Sequence, residues 1–150
     1  MSEREQPWSD DRPEHGRILV LSDNPIAQAI ASIGRTVGRE VHVEGQDDGG
    51  PGLQARAGDA VVLCDHDAPD APAVLRAALA SEAEYVAMMA SRRRSEGLLQ
   101  ELADEGVDTA RLHVPAGHNL GGKGPGEIAL SVVAEIVAES YDRPGGPMRG

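Results

Sequence analysis

Along the middle of the chain, short apolar runs of strand length alternate with longer stretches of helical period. Arg17 to Leu21 reads as a buried strand. Ile26, Ile30, Ile33 and Val37 then recur at spacings of four, three and four, which is one face of a helix that Gly38 closes. Glu40 to Glu44 reads as a second short strand, and the glycine- and aspartate-rich stretch from Gly45 to Gly58 as a loop carrying a weak helical turn at most. Ala60 to Cys64 predicts a third strand, Pro72 to Ala80 a helix and Tyr85 to Met89 a fourth strand. Ser91 stands at an N-cap position ahead of Leu98, Leu99 and Leu102. Leu112 to Val114 is short enough for a fifth strand, and Pro125 opens a last helix through Ile128, Val132 and Ile136. The alternation predicts an α/β fold: a doubly wound, Rossmann-like parallel sheet of about five strands in three α/β/α layers, with right-handed crossovers and strand order 3-2-1-4-5. Ligands of such sheets sit outside the carboxyl ends of the strands where the order reverses, here expected beside the first and fourth strands.

Those strand ends define a candidate site. The first runs into Ser22-Asp23-Asn24, the third into Asp65-His66-Asp67, the fourth into Ala90-Ser91-Arg92 and the fifth into Pro115-Ala116-Gly117-His118-Asn119. Ser22 and Asn24 are candidate ligand-loop residues, and equally a plain helix cap with Pro25 at the first helical position. Glu44, about twenty residues on, stands where a dinucleotide fold places the acid that takes a ribose hydroxyl. His66, Asp67 and His118 could fix polar atoms of a ligand. Imidazole and carboxylate also suit a divalent metal, but no H-x-x-x-H spacing accompanies them, and mutual hydrogen bonding within the loops is the reading taken. Ser91 and Arg92 are placed to receive an anionic group, whereas Arg93 and Arg94 read as an exposed helical face. Gly117, Gly121 and Gly122 could cradle an anion with backbone N–H groups, with Lys123 in the same loop. Cys64 ends an apolar strand and reads as a buried hydrophobe rather than a reactive thiolate.

Length and composition narrow the class. One hundred and fifty residues suit a single domain and are too few for a (β/α)₈ barrel. With no Phe, one Trp and two Tyr, the core has to be built from Ala, Val, Ile and Leu. A formal net charge of −11 repels phosphate backbones and argues against nucleic acid as a partner. A lone Cys64 excludes an intrachain disulfide and a Cys₄ zinc site, and points to a reducing, cytoplasmic setting. No signal-like or membrane-spanning apolar run is present. Residues 1–15 and 141–150 are expected to be disordered tails around a domain spanning 16–140.

Two stretches together, Ala90-Ser91-Arg92-Arg93-Arg94 and His113 to Ile136 (HVPAGHNLGGKGPGEIALSVVAEI), resemble the C-terminal Rossmann-like domain of the XdhC/CoxI family, the xanthine dehydrogenase accessory factors. Members carry G-S-R-R and H-x-P-x-G-L-D-I-G-x-x-T-P-x-E-I-A-x-S-I-x-A-E-I, and Asp65-His66-Asp67 is similar to the family's T-H-D. The resemblance covers about residues 17 to 139. It implies an accessory or binding protein that handles molybdenum cofactor, rather than a self-sufficient enzyme, with a molybdenum hydroxylase apoenzyme or a related maturation protein as partner. Ser22 and Asn24 replace the family's G-x-G, with Ala27 at the small third position, and Asp23 adds negative charge where a phosphate would lie. His118-Asn119 replace L-D, Ala90 replaces the first glycine of G-S-R-R, and Gly124-Pro125 replace T-P. The family's N-terminal domain, with its cysteine-bearing motif, has no counterpart in this length, so a stand-alone domain is expected. Two alternatives stay open: an NAD(P)- or nucleotide-binding oxidoreductase, and an interaction or oligomerisation module without a cofactor. A homodimer is compatible with all three.

Overall fold

The computed structural model describes residues 15–44, 54–65, 67 and 70–149. Within these residues the elements run β1 (Ile18–Leu21), α1 (Pro25–Thr36), β2 (Val41–Val43), β3 (Ala60–Leu63), α2 (Ala71–Ala80), β4 (Tyr85–Met88), α3 (Arg92–Asp104), β5 (Leu112–His113) and α4 (Pro125–Ser140). Every strand and helix expected from the apolar periodicity is present. All strand pairs are parallel.

Successive side chains of a strand point to opposite faces, and the apolar strands use both. Ile18, Val20, Val41, Val43, Val62, Tyr85 and Ala87 meet α1 and α4 in one core layer. Leu19, Val61, Leu63, Val86 and Met88 meet α2 and α3 in the other. The result is the three-layer α/β/α arrangement that near-continuous apolar strands require.

The strand order is β2-β1-β3-β4-β5, which corrects the expected 3-2-1-4-5. The reason is burial. β3, Ala-Val-Val-Leu, is buried at every position and needs neighbours on both sides, whereas β2 carries the half-buried His42 between Val41 and Val43 and suits an edge. The order therefore reverses between β1 and β3, not beside β4. At the amino ends of the strands, Arg17 and Asp59 form a buried ion pair at 2.6 Å. Burial pushes the Asp59 carboxyl upward, but bonds from the Arg17 side chain and from the Arg56 and Arg17 amides hold it below its ordinary value. This pair lies at the end of the sheet opposite the candidate site and fastens β1 to the turn before β3.

Candidate functional site

At the turn from β1 into α1, backbone donors that a dinucleotide fold offers to a phosphate are engaged by the chain itself. Ser22 adopts φ +75°, in the left-handed region that glycine occupies most easily. Its amide donates to Glu44 Oε2 at 3.2 Å. Glu44 thus reaches back from the end of β2 to the turn. Asn24 is the N-cap of α1: its Oδ1 accepts the Ala27 amide at 2.9 Å, and its Nδ2 donates to the Cys64 carbonyl at 3.1 Å, tying the ends of β1 and β3 together across the reversal point. Asp23 accepts from Gln28 Nε2 at 2.5 Å. Of the two readings of Ser22-Asp23-Asn24, helix capping is the one this geometry embodies.

The ends of β3 and β4 meet at the start of α3. Cys64 is buried, which pushes its thiol up to about 12, so no thiolate forms near neutral pH. Asp65 Oδ1 accepts the Asp67 amide at 2.9 Å, and the Asp67 carboxylate pairs with the Arg94 guanidinium. His66 lies outside the described residues. Ser91 caps α3, its Oγ accepting the Arg94 amide at 3.2 Å. Arg92 and Arg93 are exposed beside it. Among the described residues, no group of three or more His, Cys, Asp or Glu is arranged to hold a metal ion.

The most developed polar arrangement lies where β5 runs into α4. Ala116 donates to the Met88 carbonyl at 3.1 Å, which lays this loop beside the end of β4, and the Val114–Pro115 peptide is cis. Gly117 has φ +95°, and a Cβ there would collide with the Ser131 hydroxyl, so glycine is required on two counts. From α4, Glu135 Oε1 accepts the Gly117 amide at 3.0 Å and the Tyr85 hydroxyl at 2.5 Å. Its Oε2 lies 3.4 Å from His113 Nδ1. The His113 ring stacks on Tyr85 with centroids 4.5 Å apart. Burial alone would raise the Glu135 carboxyl, yet hydrogen bonds from His113, Tyr85 and the Gly117 amide hold it at about 2. The Glu135 carboxylate, in turn, raises His113, while burial and that same carboxylate push the Tyr85 phenol well up. This is an anion satisfied from three elements, and it pins the loop.

His118 continues the loop. Its amide donates to the Ser131 carbonyl at 3.2 Å, and its Nε2 is buried without a hydrogen-bond partner, in a place that a Cβ at Gly145 would fill. Asn119 is exposed at the tip. The geometry thus gathers Ser91, Arg92, Gly117, His118 and Asn119 at the carboxyl ends of β4 and β5, and assigns Ser22, Asn24 and Glu44 to a separate, self-bonded turn. His113 and Glu135 were not among the residues singled out from the sequence, although both lie in the His113–Ile136 stretch.

A parallel five-stranded sheet wound on both faces, with its polar loops at the carboxyl edge, is a Rossmann-like domain. The chain belongs to the XdhC Rossmann domain family, whose model matches residues 18–136. Over 67 residues it is 43% identical to the uncharacterized protein YqeB of Escherichia coli K12, a match covering 43% of this chain and 12% of that protein. Its fold superposes on a xanthine dehydrogenase crystal structure from Bacillus halodurans with a TM-score of 0.69 at 21% identity, covering 86% of this chain and 44% of that one. The chain therefore spans less than half the length of each of these two proteins. Among the described residues, no helix is long and apolar enough to cross a membrane.

Proposed function

We propose that the chain is an accessory domain that binds molybdenum cofactor for a molybdenum-containing dehydrogenase, receiving it at the carboxyl ends of β4 and β5. The observation that carries this reading is the engagement of a partly buried carboxylate, Glu135, in fixing the Gly117 loop beside the exposed start of α3. A pyranopterin cofactor offers a phosphate and a heterocycle edged with donors and acceptors. The residues present fit both. Arg92 and the first turn of α3 would hold the phosphate, and the loop from Gly117 to Asn119 would face the heterocycle. His118 Nε2, a buried nitrogen without a partner, would take one polar edge once the segment around Gly145 moved aside. When bound, the metal-bearing group supplies redox chemistry in the client enzyme, and the residues of this chain bind, orient and shield it. The turn after β1 fits a phosphate poorly, because Glu44 takes the Ser22 amide and the carboxylates of Asp23 and Glu44 stand at the turn. An NAD(P)-dependent reading therefore finds little support at its usual position.

Native mass spectrometry of the full chain titrated with molybdopterin, NAD and NADP tests the proposal. A stoichiometric molybdopterin complex, weakened by Arg92→Glu and by His118→Ala, is the expected result. Binding of NAD or NADP in preference to molybdopterin, or a molybdopterin complex indifferent to both substitutions, would overturn it.

A further inference from the structure

On the other face of the sheet, a cavity of about 680 Å³ opens between α2 and α3. Its volume lies in the range of small-molecule sites. Leu75, Met88 and Leu98 supply an apolar floor, and Ser91 and Arg93 stand at one end with Glu101 towards the other. Arg94, also on the rim, is neutralised by Asp67. Arg93 has no ion-pair partner among the described residues, so the rim keeps a positive charge at the amino-terminal end of α3, where the helix dipole also favours an anion.

Gly97 is the second observation. It sits inside α3, where glycine costs a helix about 1 kcal/mol relative to alanine. Packing does not demand it: a Cβ at this position would meet no atom within 4 Å. Among the cavity-lining residues it is the one that leaves a bare stretch of helix backbone along the wall. Gly97 therefore leaves open space along the cavity wall, enough for a flat group to lie against the helix.

We infer that this cavity binds a small monoanion with a flat apolar body, of the aromatic carboxylate or sulfonate class. The acidic group faces Arg93 and the start of α3, and the ring lies over Gly97 on Leu75, Met88 and Leu98. Glu101 sets the orientation by repelling a negative charge at the far end. The two readings share the first turn of α3 but not the rest of their residues, since the cavity floor lies on the α2/α3 side and the Glu135-held loop on the α4 side.

The test is fluorescence titration of the full chain with 8-anilinonaphthalene-1-sulfonate, a flat monoanion whose emission rises and shifts to the blue in apolar surroundings. One saturable site is expected, weakened roughly tenfold or more by Gly97→Leu, which fills the cavity, and several-fold by Arg93→Glu. Gly97→Leu and Gly97→Ala should both raise Tm, which separates a blocked cavity from a damaged fold. A second apolar groove, between α1 and α4, exposes Leu130, and Leu130→Ser should leave the titration unchanged, as should His118→Ala. Affinity that survives both Gly97→Leu and Arg93→Glu, or that is lost in Leu130→Ser instead, would overturn the inference.

Discussion

The turn after β1 and the loop after β5 meet the same physical demand by opposite means. Each must turn the chain sharply at the carboxyl edge of the sheet and satisfy the polar backbone groups exposed there. The first does so with separate small contacts: Asn24 caps its own helix and reaches the Cys64 carbonyl, and Glu44 takes one amide from the neighbouring edge strand. The second recruits a single partly buried carboxylate from α4 and joins it to a phenol, an imidazole and a left-handed glycine. At the usual dinucleotide position of this fold the chain forms a capped turn, while the larger polar arrangement, a partly buried charge held by two strands and a loop, sits where the XdhC-like motif lies.

The largest effect is expected from removing Glu135. Glu135→Ala strands the Gly117 amide, the Tyr85 hydroxyl and His113 in partly buried surroundings, and it should cost about 3–5 kcal/mol. Urea unfolding of both proteins measures it. A loss below about 1 kcal/mol would mean that the loop is not held in this way.

The same group makes stability depend on pH. The folded Glu135 carboxyl sits at about 2 against an ordinary 4.5. Its contribution is therefore complete above the ordinary value and is lost as pH falls from there through about 2, a window worth about 3 kcal/mol. His113 is shifted the other way, upward, through Glu135 and, more weakly, Glu139. Its share is complete below 6.5 and is lost as pH rises through the folded value. The acid limb of the stability profile should flatten in Glu135→Gln and the neutral limb in His113→Gln, each relative to wild type. Parallel profiles in all three proteins would remove the pair from any role in holding the loop.

How much of this was legible in the sequence follows from the range of each interaction. Elements depend on local period and were readable. The apolar run Ala60 to Leu63 and the polar centre of Val41-His42-Val43 also held the strand order, because only a central strand has to be apolar throughout. That cue separates β3 from β2, and the expected 3-2-1-4-5 order ignored it. Glu135 was hidden for a different reason. One turn beyond Ser131 and next to Ile136, it looks like any charged residue on a helix flank, and what makes it a partly buried anchor are Tyr85 and His113, fifty and twenty-two positions upstream. The signal available was the co-occurrence of His113 and Glu135 in the family-like stretch. For Glu44 the spacing alone suggested a ribose-binding acid, and its bond to the Ser22 amide, twenty-two positions upstream, could not be read from it.

The mildest test returns to the first turn and asks whether it is a weakened phosphate cradle or a cap. Ser22 holds φ +75°, a conformation costing an L-residue about 1–2 kcal/mol that glycine avoids, while the extra freedom of glycine in the unfolded chain gives part of this back. Ser22→Gly should therefore stabilise the protein by about 0.5–1 kcal/mol, readable by chemical unfolding. The same change restores the first glycine of the family's turn, yet it leaves the amide of residue 22 donating to Glu44 and leaves Asp23 in place. No NADH binding should appear in a fluorescence titration of the variant. If Ser22→Gly alone conferred micromolar NADH affinity, the amides would be exchangeable between Glu44 and a phosphate, and the two ends of the sheet would differ in occupancy rather than in kind.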